Sequence, residues 1–240
     1  MTIHYRSQSP RILADFLSYH ETIKAHSQRT VDEYYLDLRN FFRYIKQLRD
    51  PALQGLPFDK IDIMDVDLAL IKTITLSDIY GYMTYLSRDR VQHQNCEKSN
   101  IGLNAASRAR KLATIRSFFN YLCNKVHLLE ENPCKDIDSP KQMKSLPRYL
   151  TLDDSLSLLN AVDGKHKERD FCIITLFLNC GLRISELIGL DITDIQDDAL
   201  RLLGKGNKER LVYLNDACLA AIREYLAVRP EPPKDADKPY

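Results

Sequence analysis

Arg183 and Glu186 stand three residues apart, and Lys205, Lys208 and Arg210 follow some twenty residues later in the 240-residue chain. Together these types suit chemistry on a phosphodiester. Attack on phosphorus builds negative charge on the non-bridging oxygens and on the departing 5′ oxygen. A planar, permanently charged guanidinium such as Arg183 stabilises the former in a fixed geometry. A lysine such as Lys205 donates a proton to the latter, because its pKa falls readily when it is desolvated near other cations. Glu186 is spaced to orient the Arg183 guanidinium, and equally to form a plain i,i+3 ion pair. Local sequence alone leaves blander alternatives open: a salt-bridged helix start for Arg183 and a solvated turn lysine for Lys205.

The elements around these residues must position them. Phe171, Ile173, Ile174, Leu176, Phe177 and Leu178 are too densely apolar for one stripe, which predicts a helix buried nearly all round. Asn179-Cys180-Gly181 stops it, since glycine adopts the left-handed C-terminal conformation without steric cost. Arg183 then precedes Ile184, Leu187 and Ile188 at helical spacing. A guanidinium held against a buried helix is costly unless something anionic meets it. Further on, two apolar runs, 200–203 and 211–214, flank Gly204-Lys205-Gly206-Asn207-Lys208, a β-hairpin signal with Lys205 between two glycines at the tip.

Gly181-Leu182-Arg183-Ile184-Ser185-Glu186-Leu187, followed by Gly204-Lys205-Gly206-Asn207-Lys208-Glu209-Arg210, resembles the first catalytic half of the tyrosine recombinases of the Xer/phage-integrase family. The resemblance implies that Arg183 binds the scissile phosphate and that Lys205 is the general acid. It makes Glu186 a supporting residue, and Lys208 and Arg210 DNA contacts from the same hairpin. It also implies duplex DNA with an inverted-repeat core site and further recombinase protomers as partners, with no metal or nucleotide cofactor. After the hairpin lysine, the family's active site adds a His-x-x-Arg motif, a further His or Trp, and the tyrosine that forms a 3′-phosphotyrosine. No histidine follows Arg210. His26-Ser27-Gln28-Arg29 and His166-Lys167-Glu168-Arg169 match His-x-x-Arg but both precede Arg183. Tyr213 reads as strand packing, and Tyr240 comes too soon with no such motif before it. The expectation is a C-terminally truncated recombinase that exposes apolar surface on its second domain and whose own enzymatic activity is open.

Upstream, apolar periodicity predicts helices over about 10–24, 27–48, 76–90 and 104–128, separated by Asp50-Pro51, an acidic connector at 58–75 and a polar loop at 91–103. Ser27 and Ser77 read as caps, and the connector as a solvated insertion without the glycine or terminal glutamate of a calcium loop. The fold class is therefore mainly α: a four-helix domain over 1–131, a linker at 132–150, and a partial α+β catalytic domain with a small antiparallel sheet over 151–240. The first domain resembles the family's core-binding, SAM-like domain, one half of a clamp around duplex DNA. Residues 98–129 contain no Asp or Glu, and Arg108, Lys111 and Arg116 follow one another along a single helix, a stripe whose counterion would be duplex phosphate. Ser27, Thr30 and Tyr34 put hydroxyls at a helix start, where backbone N–H groups also hold phosphate. Lys141 and Lys144 lie in the proline-punctuated linker, which resembles the family's DNA-following connection.

The net charge of +1 means that a nucleic-acid reading rests on where charges lie, not on their sum. Six cysteines without a C-x-x-C pair read as reduced thiols, and the start lacks a signal-peptide core; the expected place is the cytoplasm, with no membrane partner. Two other functions stand beside the recombinase one, the first of them served by the same residues. One is a DNA-binding regulator that competes with intact recombinases at their sites. The other is a helical interaction scaffold without a nucleic-acid role.

Overall fold

The computed structural model describes residues 5–90, 101–141, 146–204 and 208–230. The chain divides into two units, Met1–Lys144 and Ser145–Tyr240, each with its own core.

In the first unit, α1 (Arg11–Ser18) runs into a π-helical turn at Tyr19–Ile23, and α2 (Gln28–Arg49) follows. Ser27 caps α2 by accepting from the Thr30 N–H. Val31, Tyr35, Leu38, Phe41, Phe42 and Ile45 recur at helical spacing on its buried face. The helix ends at Asp50, extended at φ −116° and ψ 107°, because the residue before Pro51 is pushed out of the helical region. The connector is not simply solvated. Its acids face water or cap turns, as Asp67 caps α3 (Leu68–Lys72), but Ile61, Ile63, Val66, Ile71 and Ile74 are buried. Alternation of acid and aliphatic is what lets one segment do both.

The cap of α4 (Leu76–Arg88) is Thr75, not Ser77, in a reciprocal box with Asp78. Asp78 also receives Arg49 at 2.6 Å, tying the end of α2 to the start of α4. Helix α5 (Ala105–Asn124), capped by Asn104, completes the unit with Leu112, Ile115, Phe118, Phe119 and Leu122 inward. Phe118 is the hub. Its ring meets Phe16 edge-on at 5.3 Å and Phe42 at 5.6 Å, the offset geometry that aromatic quadrupoles favour. Cys134 and Ile137, inside the segment expected as linker, are buried in this same core.

The second unit holds α6 (Leu152–Asn160), α7 (Lys167–Cys180), α8 (Ile184–Ile188), a three-stranded antiparallel sheet and α9 (Asp216–Val228). Strands β1 (Ile195–Gln196), β2 (Ala199–Leu203) and β3 (Glu209–Tyr213) lie in sequence order, with Leu200 opposite Val212 and Leu202 opposite Arg210. Leu200 and Leu202 point into the core while Arg201 and Leu203 point out, the period of two that fixes the register. Strand β1 was not expected from the sequence.

Helix α7 is buried on one face only, through Cys172, Thr175 and Leu176, and Leu178 is exposed. The all-round burial expected from composition fails because, among the described residues, α9 and the sheet core cover that face while α6 covers the rest only in part, leaving Phe171, Ile173, Ile174 and Phe177 half-buried. An apolar groove of about 320 Å³ remains, lined by Cys172, Leu176, Ile188, Leu190, Ile222 and Tyr225 among others. Ile184 and Ile188 are 70% and 77% exposed. No described helix is long and apolar enough to cross a membrane.

Phe118→Ala opens a cavity at the hub of the first core and is expected to cost about 3–5 kcal/mol in urea unfolding. Leu152→Ala, at a position 74% exposed, is expected to stay within about 0.5 kcal/mol.

Candidate phosphate site and nucleic-acid interface

Gly181 ends α7 in the left-handed conformation at φ 59° and ψ 38°, and two residues later Arg183 precedes α8. Glu186 returns to that turn. Its Oε2 accepts the Arg183 backbone N–H at 2.8 Å, and its Oε1 accepts Arg183 Nη1 at 2.6 Å. From β3, Arg210 Nη2 donates to Oε2 at 2.9 Å. Hence the carboxylate is 2% exposed while the Arg183 side chain is 67% exposed and Arg210 43%. The acid is enclosed and the guanidinium it holds faces water, which is the arrangement a phosphate ligand requires.

The Arg183 N–H is the main cause that lowers the Glu186 pKa to about 2; both guanidiniums add to it, against burial, which pushes it up. The hairpin approaches closely too. A Cβ at Gly204 would sit 3.2 Å from the Lys208 carbonyl, a tight approach, and in ordinary contact at 3.6 Å from Glu186 Oε1. The Gly204 N–H donates to that carbonyl at 2.8 Å and closes the hairpin. Lys208 is exposed. Lys205 and Lys144 lie outside the described residues.

In the first unit the expected basic stripe divides. Lys111 is buried, and its Nζ donates to Asp37 Oδ1 at 2.6 Å. Asp37, 1% exposed, also takes both Nη groups of Arg110, at 2.7 and 3.0 Å, and the Thr114 hydroxyl at 3.0 Å. Burial pulls the Lys111 pKa down, against the attraction of Asp37. Lys111 is therefore a core residue that joins α5 to α2, a correction to its reading as a DNA contact. Spacing of three along a helix placed it beside Arg108, but the acid that captures it comes from 74 residues upstream.

Arg108 donates to Ser87 Oγ at 2.6 Å and Arg116 to Ser139 Oγ at 2.9 Å, both neutral partners. Arg116 opens onto a polar cleft of about 480 Å³ that Lys24 and Lys125 also line. Lys24 was missed because it sits beyond the π-helical turn, which carries it across to α5; no periodicity of α5 points to it. His20 is buried beside this cleft, with Nε2 3.2 Å from Ser117 Oγ and Nδ1 3.2 Å from His26 Nδ1. Burial first, then His26 and Lys24, lowers its pKa to about 4. Ser27 is exposed, its Oγ 3.0 Å from Thr30 Oγ1, so this pair of hydroxyls caps the helix and still faces solvent. Tyr34 is half-buried, stacked on Phe16 at 5.9 Å. Lys141 is exposed.

Residues 148–238 match the phage integrase family. The chain is 47% identical over 222 residues to tyrosine recombinase XerC of Caldanaerobacter subterraneus subsp. tengcongensis, covering 92% of this chain and 60% of that protein. It is 36% identical over 230 residues to tyrosine recombinase XerC of Myxococcus xanthus, covering 94% of this chain and 65% of that one. Among solved structures, the Tn1549 transposon integrase in complex with circular intermediate DNA matches with a TM-score of 0.57 at 16% identity, over 95% of this chain and 69% of that one. A lambda integrase dimer bound to a COC′ core site matches with a TM-score of 0.53 at 18% identity, over 93% of this chain and 57% of that one. These two likenesses show the fold. The second unit carries a phage integrase family domain, and the chain is similar along nearly its whole length to Xer-type tyrosine recombinases. It spans about two-thirds or less of the length of the curated relatives named here.

Asp37→Ala would leave Lys111 buried and unpaired, and is expected to destabilise the first unit by roughly 3–5 kcal/mol in denaturant unfolding. Glu186 makes a separate prediction in acid. Its folded pKa lies below the ordinary 4.5, so its stabilisation is complete above 4.5 and is lost as pH falls towards about 2. Circular dichroism across that window is expected to show the second unit losing stability in the native chain. In Glu186→Gln the unit should start less stable and lack this component.

Proposed function

We propose that this chain binds duplex DNA at an inverted-repeat core site and takes part in site-specific recombination as a Xer-type recombinase. The carrying observation is the Glu186 clamp, which fixes Arg183 by its backbone and its guanidinium together and leaves that guanidinium facing solvent. In this reading Arg183 grips the scissile phosphate and stabilises charge on its non-bridging oxygens. Lys205 protonates the leaving 5′ oxygen. Glu186 and Arg210 are positioning residues, since Arg210 shares with Arg183 the carboxylate that orients it, and Arg210, 43% exposed, would add a DNA contact from the hairpin. Breaking and rejoining the strand through a phosphotyrosine needs the tyrosine that the family carries after its His-x-x-Arg motif.

The relatives and structural neighbours support the partners. XerC is a tyrosine recombinase, and the lambda integrase structure is a dimer on a core site. By analogy we assign duplex DNA and further protomers to this chain, acting in the cytoplasm. In the first unit, Arg116, Lys24 and Lys125 line the cleft and make no ion pair among the described residues, so they are the cations available for phosphate. Lys141 from the linker, with Ser27 and Thr30 from the start of α2, would add contacts to the backbone.

The test is a native gel across a salt series with a nicked duplex carrying candidate inverted repeats, alongside a denaturing gel. A salt-sensitive shift is expected. Arg116→Glu should weaken it for every sequence and reduce the slope of log K against log salt by about 1. Arg183→Ala should leave most of the shift and remove discrimination in favour of the scissile position. No shift at low salt by the folded chain would sink the reading.

A further inference from the structure

Cys180 is the last residue of α7, and Cys218 lies in the first turn of α9. Their Sγ atoms are 3.9 Å apart. The two helix ends are already fastened beside them, because Asn215 Nδ2 donates to Asn179 Oδ1 at 2.8 Å while Asn215 Oδ1 caps the Cys218 N–H. Exposure divides the pair into two roles: Cys180 is half-buried and reachable, whereas Cys218 is 0% exposed. A disulfide needs the sulfurs at about 2.05 Å, a closure of roughly 2 Å that side-chain rotation and a small helix shift supply. The chain between them carries Arg183, Glu186, the hairpin and Arg210, so a bond here would close a loop around the whole candidate phosphate site.

We propose that Cys180 and Cys218 are a reversible thiol–disulfide site, oxidised by low-molecular-weight disulfides, that locks the turn bearing Arg183 to the start of α9. Cys180 loses its proton to solvent and its sulfur attacks the small disulfide, forming a mixed disulfide and expelling one small thiolate. Cys218, losing its own proton, attacks the Cys180 sulfur, forming the protein S–S bond and expelling the second. Two protein thiols give up two electrons and two protons, and one small disulfide becomes two thiols. Burial, and then the neighbouring Cys218, raise the Cys180 pKa to about 11, so thiolate is scarce at neutral pH and exchange is slow. Cys172 lies on the same side of α7, and burial also raises its pKa to about 11.

The full chain is incubated with oxidised glutathione, its remaining thiols are alkylated, and the linked peptides are mapped by mass spectrometry. The expected result is a link between residues 180 and 218 that a dithiol reductant reverses. It should persist in Cys172→Ser and vanish in Cys180→Ser, with both variants folded by circular dichroism. The oxidised second unit should melt at least about 5 °C higher. A bond from Cys218 to Cys172 instead, or free thiols at 180 and 218 under conditions that oxidise a control dithiol, would overturn the proposal. A 180–218 link without a change in melting would overturn the locking. None of these readouts involves DNA, so they stand or fall apart from the recombinase reading.

Discussion

A carboxylate almost wholly removed from water stays ionised only if donors converge on it, and three do so at Glu186. One is a backbone N–H at the turn after α7, one is the Arg183 guanidinium, and one comes from the far strand of the hairpin. The same acid therefore sets the backbone of the turn, the direction of the candidate phosphate ligand and the approach of β3. Beside it the Gly204 N–H closes the hairpin onto the Lys208 carbonyl, where a side chain at Gly204 would be tight. The second unit's polar geometry depends on this one enclosed charge.

The first unit solves a similar problem for a different purpose. Asp37 collects Arg110, Lys111 and Thr114, and here the cations are used up in holding α5 against α2. The contrast separates structural from ligand-directed arginine and lysine. Arg110 and Lys111 answer to a carboxylate. Arg108 and Arg116 rest on hydroxyls, so no carboxylate neutralises them through these bonds. In a chain of net charge +1, any attraction for a polyanion rests on such local surplus rather than on the overall balance.

The apolar surface of the second unit follows from the same fold. α7 has aliphatic residues on more sides than α9 and the sheet cover, which leaves a groove along it and bare isoleucines on α8. Density of apolar residues reports how much surface a helix is built to bury. It does not report how much is buried among the described residues.

Much was legible in the sequence because it depends on neighbours in the chain. Helix periodicity, the Ser27 cap, the Gly181 stop and the hairpin between Leu203 and Glu209 are all set by contacts within a few residues. The pairing of Arg183 with Glu186 was legible for that reason too. Ser77 was misread as a cap because Thr75 competes for the same role and Asp78 decides between them. What spacing could not supply was the partner that arrives from elsewhere: Asp37 for Lys111, Arg210 for Glu186, Lys24 beside Arg116, and Cys218 beside Cys180. Helical periodicity specifies which residues share a face, whereas the free energy of a buried charge depends on what lies across from that face. That is decided only when α2 meets α5 and the hairpin meets the turn after α7.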